Sequence, residues 1–379
     1  MTARSRQPLA ARLPAFPWDS LGPIIERAHA HPDGAIDLTV GSPVDPVAEP
    51  IAASLSAHAN HPGYPPTLGT PALIDAISQS LHRRYGISAL PHNAIVPVVG
   101  TKELIAQLPW LLGLGPDHRI AVPAIAYPTY DIAARLCGAR AVVAEEVEEI
   151  IASDADLVYI NSPSNPTGRV RSAAELCEIV AWARETGAII ASDECYLGLD
   201  FSGRARSIAH PEVCGGSLDN LIAIHSLSKT SNMASYRAGF IFGEQSAMSE
   251  VAEVRKHCGL SLPWAVQHAM VTALNSDEHE QAQHKVYRRR RELLRSSLEA
   301  AGLQVDYSEA GLYLWVTQDR SAEETIAAFA DLGIITAPGT FYGDNEQCRS
   351  HVRLSITASD NAIEEAARRL AGGVGCAPS

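Results

Sequence analysis

An apolar run, Leu221 to Ile224, gives way to His225, Ser226, Leu227, Ser228 and Lys229, with Arg237 and Gly239 following. A buried strand that ends in hydroxyls and a single amine sets a nucleophile where backbone amides and side-chain donors can surround an anion. Other apolar runs end in residues of comparable use. Ile95 to Val99 is followed by Gly100, Thr101 and Lys102, a tight turn opening a helix whose free amides and positive dipole end suit a phosphate. Ile120 to Val122 leads to Tyr127 and Tyr130, and Leu157 to Ile160 leads to the octet Asn161 to Gly168 (NSPSNPTG). Two prolines and a glycine stiffen that octet and leave the Asn165 amide as a rigid donor. Ala188 to Ala191 leads to Ser192, Asp193, Glu194, Cys195 and Tyr196. A carboxylate at the end of a buried strand is costly unless a cation or donor faces it, so Asp193 invites a charged partner. Glu194 is the one further metal-ligand type beside it, and no metal centre is expected.

The elements that must position these groups are short, nearly continuous apolar runs at 95–99, 120–122, 141–144, 157–160, 188–191, 221–224 and 240–242, most of them separated by helical segments such as Ala173 to Glu185. Seven such runs imply an α/β fold with a seven-stranded, mainly parallel sheet covered on both faces, whose strand ends line the ligand crevice. Past Glu253 the texture changes to a long helical region (Ser276 to Ala301), a strand at Gly311 to Val316, a helix from Glu323 and a strand at His351 to Ile356. That pattern predicts a second, smaller α+β domain. The expected division is an irregular N-terminal arm over 1–17, a large domain over 46–254, and a small domain built from 18–45 together with 255–379. Ile36 to Val40 is expected to be a short strand broken by Gly41, Ser42 and Pro43.

Composition narrows the class. The chain has 379 residues, 46% hydrophobic and 19% charged, which suits packed globular domains. A formal charge of -13 opposes binding to nucleic acid or an anionic membrane. The one basic run, Arg288 to Arg291, reads as a solvated helix face. Seven scattered cysteines without a C-x-x-C pair favour reduced thiols. His29 with His31, and His58 with His61, lack a carboxylate or thiol at ligand spacing. No signal-peptide core or apolar run of spanning length is present, and a cytoplasmic location is expected.

Taken together, the strand ends supply an amine (Lys229), a carboxylate (Asp193), an amide donor (Asn165), aromatic faces (Tyr127, Tyr196) and a phosphate nest (Gly100, Thr101, Ser226, Arg237). Pyridoxal 5'-phosphate calls for that set: an amine for its aldehyde, a carboxylate for its pyridine nitrogen, donors for its phenolic oxygen and a stacking face for its ring.

The segments SLSKTSNMASYRAGF, NSPSNPTG, GYPPTLG, VGSP and HVRLSIT resemble the class I/II aminotransferases of the type I pyridoxal-phosphate fold, and the likeness covers nearly the whole chain. It implies that Lys229 bonds the cofactor's aldehyde, and that Ser226, Ser228 and Arg237 hold the phosphate with the backbone of Gly100, Thr101 and Lys102. It further implies Asp193 at the pyridine nitrogen, Asn165 and Tyr196 at the phenolic oxygen, and Tyr127 stacked on the ring. Arg353 would grip the substrate carboxylate as a bidentate fork, with the Gly41 backbone opposite. Tyr64 would reach the phosphate of the neighbouring subunit, which implies a homodimer. A wider set of segments, including DLTVGSPVDP, VVGTKELIAQLPWLLGLG, SDECYLGL and DYSEAGLYLW, is similar to actinobacterial-type N-succinyldiaminopimelate aminotransferases. That likeness implies a ping-pong exchange between glutamate/2-oxoglutarate and N-succinyl-2-amino-6-oxopimelate. It also singles out Glu103, to which chemistry assigns no role. The alternatives are an aminotransferase for another amino acid, a pyridoxal-phosphate carbon-sulfur β-lyase, and a non-enzymatic sensor domain. The last would need a DNA-binding segment, for which 1–17 is too short and Pro-rich.

Overall fold

The seven apolar runs assemble into one sheet in the computed structural model, which describes residues 8–374. Its strands are β2 (Ile95–Val99), β3 (Arg119–Val122), β4 (Arg140–Val143), β5 (Leu157–Asn161), β6 (Ile189–Asp193), β7 (Leu221–Ser226) and β8 (Ala238–Gly243), after a two-residue β1 (Ile36–Asp37). The order is β2-β8-β7-β6-β5-β3-β4, and all neighbours are parallel except at β8, which runs against both β2 and β7. Successive side chains leave opposite faces of each strand, so both faces must be apolar. Leu221 and Ala223 pack with Leu73, Ile77 and Ile179 on one face; Ile222 and Ile224 pack with Leu104, Leu108 and Met248 on the other. Crossover helices have local stops and starts of their own. The Ala173–Thr186 helix begins with a Ser172–Glu175 capping box and ends at the left-handed Gly187.

The smaller domain centres on a four-stranded antiparallel sheet, ordered β12 (Ala337–Pro338), β13 (His351–Ser355), β10 (Tyr313–Thr317), β9 (Gln304–Asp306). Helices Glu278–Ala300, Ala322–Asp331 and Asp360–Leu370 close its core through Tyr287, Leu294, Phe329 and Leu370 against Leu314 and Leu354. The parallel pair β1 with β11 (Ile334–Ile335) ties the N-terminal segment to this unit.

Three expectations change. The strand expected over Ile36 to Val40 is regular only at Ile36–Asp37; beyond it, Leu38 still donates to Ile335 and accepts from Ser355 before the chain turns away. Arg288 to Arg291 is not uniformly a solvated face. Helical period carries Arg290 inward with Gln283, Tyr287 and Leu294, where its side chain is 4% exposed between Asp45 and Asp360. The arm is not wholly irregular either: Leu9–Arg12 and Pro17–Leu21 are 3-10 turns, while residues 1–7, like Cys376, lie outside the described residues. Among the described residues no helix is long and apolar enough to cross a membrane.

Candidate active site

Strands β5, β6 and β7 run side by side, and their register pairs Asn161 with Asp193 and Asp193 with Ile224. Their carboxyl ends therefore open on one place, a cavity of about 260 Å³. Every cofactor or substrate candidate from the sequence lines it except Gly100 and Tyr64. Gly100 lies directly beneath Arg237. A Cβ there would come within 2.0 Å of the Arg237 guanidinium, and the residue has φ of +83°, so both space and backbone demand glycine. Tyr64 stands outside the cavity, 98% exposed.

The Lys229 Nζ donates to the carbonyl of Gly41, which brings the segment after β1 across the cavity onto the lysine loop. Gly41 is itself held under Tyr313, whose hydroxyl would lie 2.1 Å from any Cβ added there. Asp193 is buried and accepts from the Tyr130 hydroxyl at 2.8 Å and the Cys195 amide at 3.1 Å. Burial raises its pKa above the ordinary carboxylate value, against the lowering effect of those bonds. Its neighbour Glu194 turns the other way. That carboxylate accepts from the Ser192 hydroxyl at 2.9 Å and the Ile208 amide at 2.7 Å, and lies 2.9 Å from His225 Nε2.

The Asn161 carboxamide staples the octet, accepting from the Asn165 amide at 2.7 Å and donating to the carbonyls of Pro163 at 3.1 Å and Asp193 at 3.0 Å. Asn165 in turn accepts from Arg353 Nη1 at 2.8 Å through Oδ1, which leaves its NH2 as the free donor. Arg353 is 2% exposed, donates to the Thr39 carbonyl, and lies over the Tyr313 ring at 3.9 Å and the Tyr342 ring at 4.8 Å. Its Nε has no partner among the described residues. Tyr196 and Tyr313 meet hydroxyl to hydroxyl at 3.3 Å. Burial opposes ionisation of Tyr313, but the charges of Arg353 and Lys229 outweigh it and bring its pKa below the usual phenol value.

Ser226, Thr101 and Arg237 line the same cavity as Lys229. The Ser228 amide donates to Ser226 Oγ at 3.1 Å, the Cys195 thiol to Thr101 Oγ1 at 3.3 Å, and Arg237 Nη1 to the Ala234 carbonyl at 2.7 Å. Lys102 donates to Tyr127 Oη at 2.9 Å at the rim, where Trp18 and Phe341 add aromatic wall.

Four residues of this arrangement have no role assigned from the sequence. Tyr130 carries a signal: it follows Tyr127 by three residues, at the edge where Asp193 needs a donor. Asn161 closes the strand that the octet follows, a position that suits a staple. Tyr313 and Trp18 come from the smaller domain's sheet and the N-terminal segment, and no spacing in the sequence ties them to the lysine.

The family model described as "Aminotransferase class I and II" matches residues 34–370. The chain belongs to the class I and II aminotransferases, enzymes that use pyridoxal phosphate. It is 48% identical to a probable aminotransferase of Mycobacterium tuberculosis, over 97% of this chain and 88% of that protein. It is also 48% identical, over 94% of this chain and 99% of the relative, to the 4-dedimethylamino-4-oxo-anhydrotetracycline transaminase OxyQ of Streptomyces rimosus. An LL-diaminopimelate aminotransferase of Dehalococcoides mccartyi is 30% identical over 95% of this chain and 96% of its own. The solved N-succinyldiaminopimelate aminotransferase from Mycobacterium tuberculosis shares the fold with a TM-score of 0.86 at 23% identity, covering 97% of this chain and all of that one (100%).

The residues fit the cofactor of this aminotransferase. A buried carboxylate whose pKa is raised by burial suits a protonated ring nitrogen, and the close approach of Gly100 to Arg237 brings a guanidinium against a helix-opening turn, a setting that suits a phosphate.

Proposed function

We propose that this aminotransferase moves an amino group between glutamate/2-oxoglutarate and N-succinyl-2-amino-6-oxopimelate, a step of diaminopimelate and lysine synthesis. The observation that carries the reading is the convergence of Lys229, Asp193 and Arg353 on one cavity. Pyridoxal phosphate supplies an aldehyde that condenses with amines and a ring that takes up the electron pair left when the α-proton departs. Lys229 would hold that aldehyde through its amine and, when freed by the substrate amine, would take the proton from the α-carbon as general base and deliver it as general acid to the former aldehyde carbon. Asp193, oriented by Tyr130, would keep a proton on the ring nitrogen. The Asn165 NH2 and Tyr196 hydroxyl would donate to the phenolic oxygen, and Tyr127 would cover the ring. Ser226, Ser228, Arg237 and the backbone at Gly100, Thr101 and Lys102 would hold the phosphate. Arg353, oriented by Asn165, would take the substrate carboxylate beside the Gly41 backbone.

The Lys102 ammonium at the rim, 5.1 Å from the Tyr127 ring centre and 5.8 Å from that of Phe16, supports a substrate whose far end is anionic. The diaminopimelate relative supports the same class. The exposure of Tyr64 supports a homodimer in which it serves the neighbouring site. We also infer the domain division 46–254 against 18–45 with 255–379, and a cytoplasmic location. The test gives purified enzyme glutamate and measures 2-oxoglutarate formed in dependence on the acylated amino-oxopimelate. Pyruvate and ammonia released from cystathionine, without that transfer, would sink the reading.

A second reading has its own observation. Phe16 stacks on Trp18 at 5.4 Å and Trp18 meets Phe341 at 5.2 Å, an aromatic rim that suits a planar hydrophobic ketone like the one named for the Streptomyces relative. The ratio of kcat/KM for an aromatic ring ketone over the acyclic oxo acid decides between the two.

A further inference from the structure

The Glu278–Ala300 helix presents Glu280, Gln283, Tyr287 and Arg290 along one face, and that face bonds both the segment that carries Gly41 and the loop after Lys229. On one side is the segment whose Gly41 carbonyl receives Lys229. Four residues on, Asp45 accepts from Arg290 through both oxygens, at 2.7 Å each, and from Gln283 Nε2 at 2.8 Å. On the other side is the lysine loop itself. Asn232, three residues after Lys229 and in the left-handed region at φ +54°, donates to Gln283 at 3.0 Å and to the Pro46 carbonyl at 3.3 Å, and accepts from Tyr287 at 3.4 Å. Ser231 joins Glu280 at 3.2 Å. Arg290 is anchored from behind by Asp360, at 2.7 Å.

We propose that Arg290 and Asp45 are positioning residues that hold the 40–46 segment over Lys229, with Gln283 and Asn232 carrying the same constraint to the lysine loop. A planar guanidinium held by two carboxylates has no rotational freedom left, so the segment bonded to it is fixed in position as well as attached. The segment's other holds are single hydrogen bonds, Thr357 Oγ1 to the Val40 carbonyl at 3.1 Å, Lys229 to Gly41 and Asn232 to Pro46. Val40 and Val44 are exposed, and its regular pairing ends at β1. The inference rests on reading Lys229 as the working amine, because the segment matters to turnover through Gly41, which meets Lys229 and lies beside Arg353's cavity edge.

Two variants separate positioning from mere stability. Asp45→Asn and Asp360→Asn each remove one carboxylate from Arg290, but only the first frees the 40–46 segment. Hydrogen exchange of the holoenzyme is expected to quicken about tenfold at 40–46 in Asp45→Asn and to stay at the wild-type rate there in Asp360→Asn. The same Asp45→Asn enzyme should show KM for the amino donor raised about tenfold with kcat changed less than about threefold. Equal exchange at 40–46 in the two variants, or none above wild type in Asp45→Asn, overturns the proposal. Should Asp45→Asn fail to fold, Gln283→Met cuts the link to Asn232 while sparing the Arg290 pair. It is expected to quicken exchange at 40–46 and 230–232 by about threefold, and unchanged rates there overturn the proposal equally. Exchange does not depend on chemistry, so a wild-type enzyme without turnover would count against the assignment of Lys229 and leave the exchange result standing.

Discussion

Asp193 and Glu194 are adjacent carboxylates at the end of one strand, and they occupy opposite environments. Glu194 points into the core and is met by a hydroxyl, a backbone amide and an imidazole; its side chain has no solvent exposure. Asp193 points into the cavity with a phenol and one amide, and no described cation pairs with it. The difference separates two uses of a buried acid. One has its bonding capacity filled by its own fold and serves packing. The other is left short, and burial raises its pKa, which is the state a protonated ring nitrogen would relieve.

The comparison can be broken in several ways, of which the loss of the amine is the largest. Lys229→Ala should lower glutamate-dependent formation of 2-oxoglutarate about 10⁴-fold or more while the melting temperature stays close to wild type. Full turnover in that variant would remove Lys229, and with it the functional side of the cavity. Next in size is the acid pair itself. Asp193→Asn is expected to cut kcat/KM about a hundredfold or more, since the ring nitrogen loses its counter-charge. Glu194→Gln should leave kcat/KM within about tenfold but cost about 1–3 kcal/mol of stability, because partners around it are left unmatched. Calorimetry beside steady-state kinetics checks both, and the reverse pattern would mean the two roles are exchanged.

The same pair has a pH signature. A carboxyl whose folded pKa lies above its unfolded value binds more protons when folded, so stability falls as pH rises through that window. In cofactor-free protein, Asp193→Asn should therefore be the more stable form at neutral pH, with its advantage over wild type shrinking as pH falls through the raised folded-state pKa and gone below the ordinary carboxylate value of about 4. Melting curves from pH 4 to 8 measure this, and an advantage that grows toward acid contradicts it. The smallest effect belongs to Tyr130→Phe. Losing one of the two bonds to Asp193 should reduce kcat about tenfold and leave KM near wild type.

Much of the large sheet is legible in the sequence because parallel strands buried on both faces write themselves as unbroken apolar runs, and the residues just after each run must sit at the crevice. Lys229, Asp193 and Asn165 were legible for that reason. Asn161 and Tyr130 stood in the right segments but looked like a strand end and a packing aromatic, since their bonds depend on how β5 and β6 register. Arg290 looked like one of four solvated arginines. Helical period alone allows any of the four to face inward, and only packing against Asp45, 245 residues away, selects it.

The sequence by itself determined which chemistry is available: an amine, an acid, an amide and a set of hydroxyls, each at the end of an apolar run that must be buried. Tertiary structure decided which of two neighbouring acids is left short of partners, that Tyr313 and Gly41 close over the lysine, and that one helix face bonds both the Gly41 segment and the loop after Lys229. These are contacts between segments far apart in the chain, set by strand register and the meeting of two cores, and no local pattern encodes such distances.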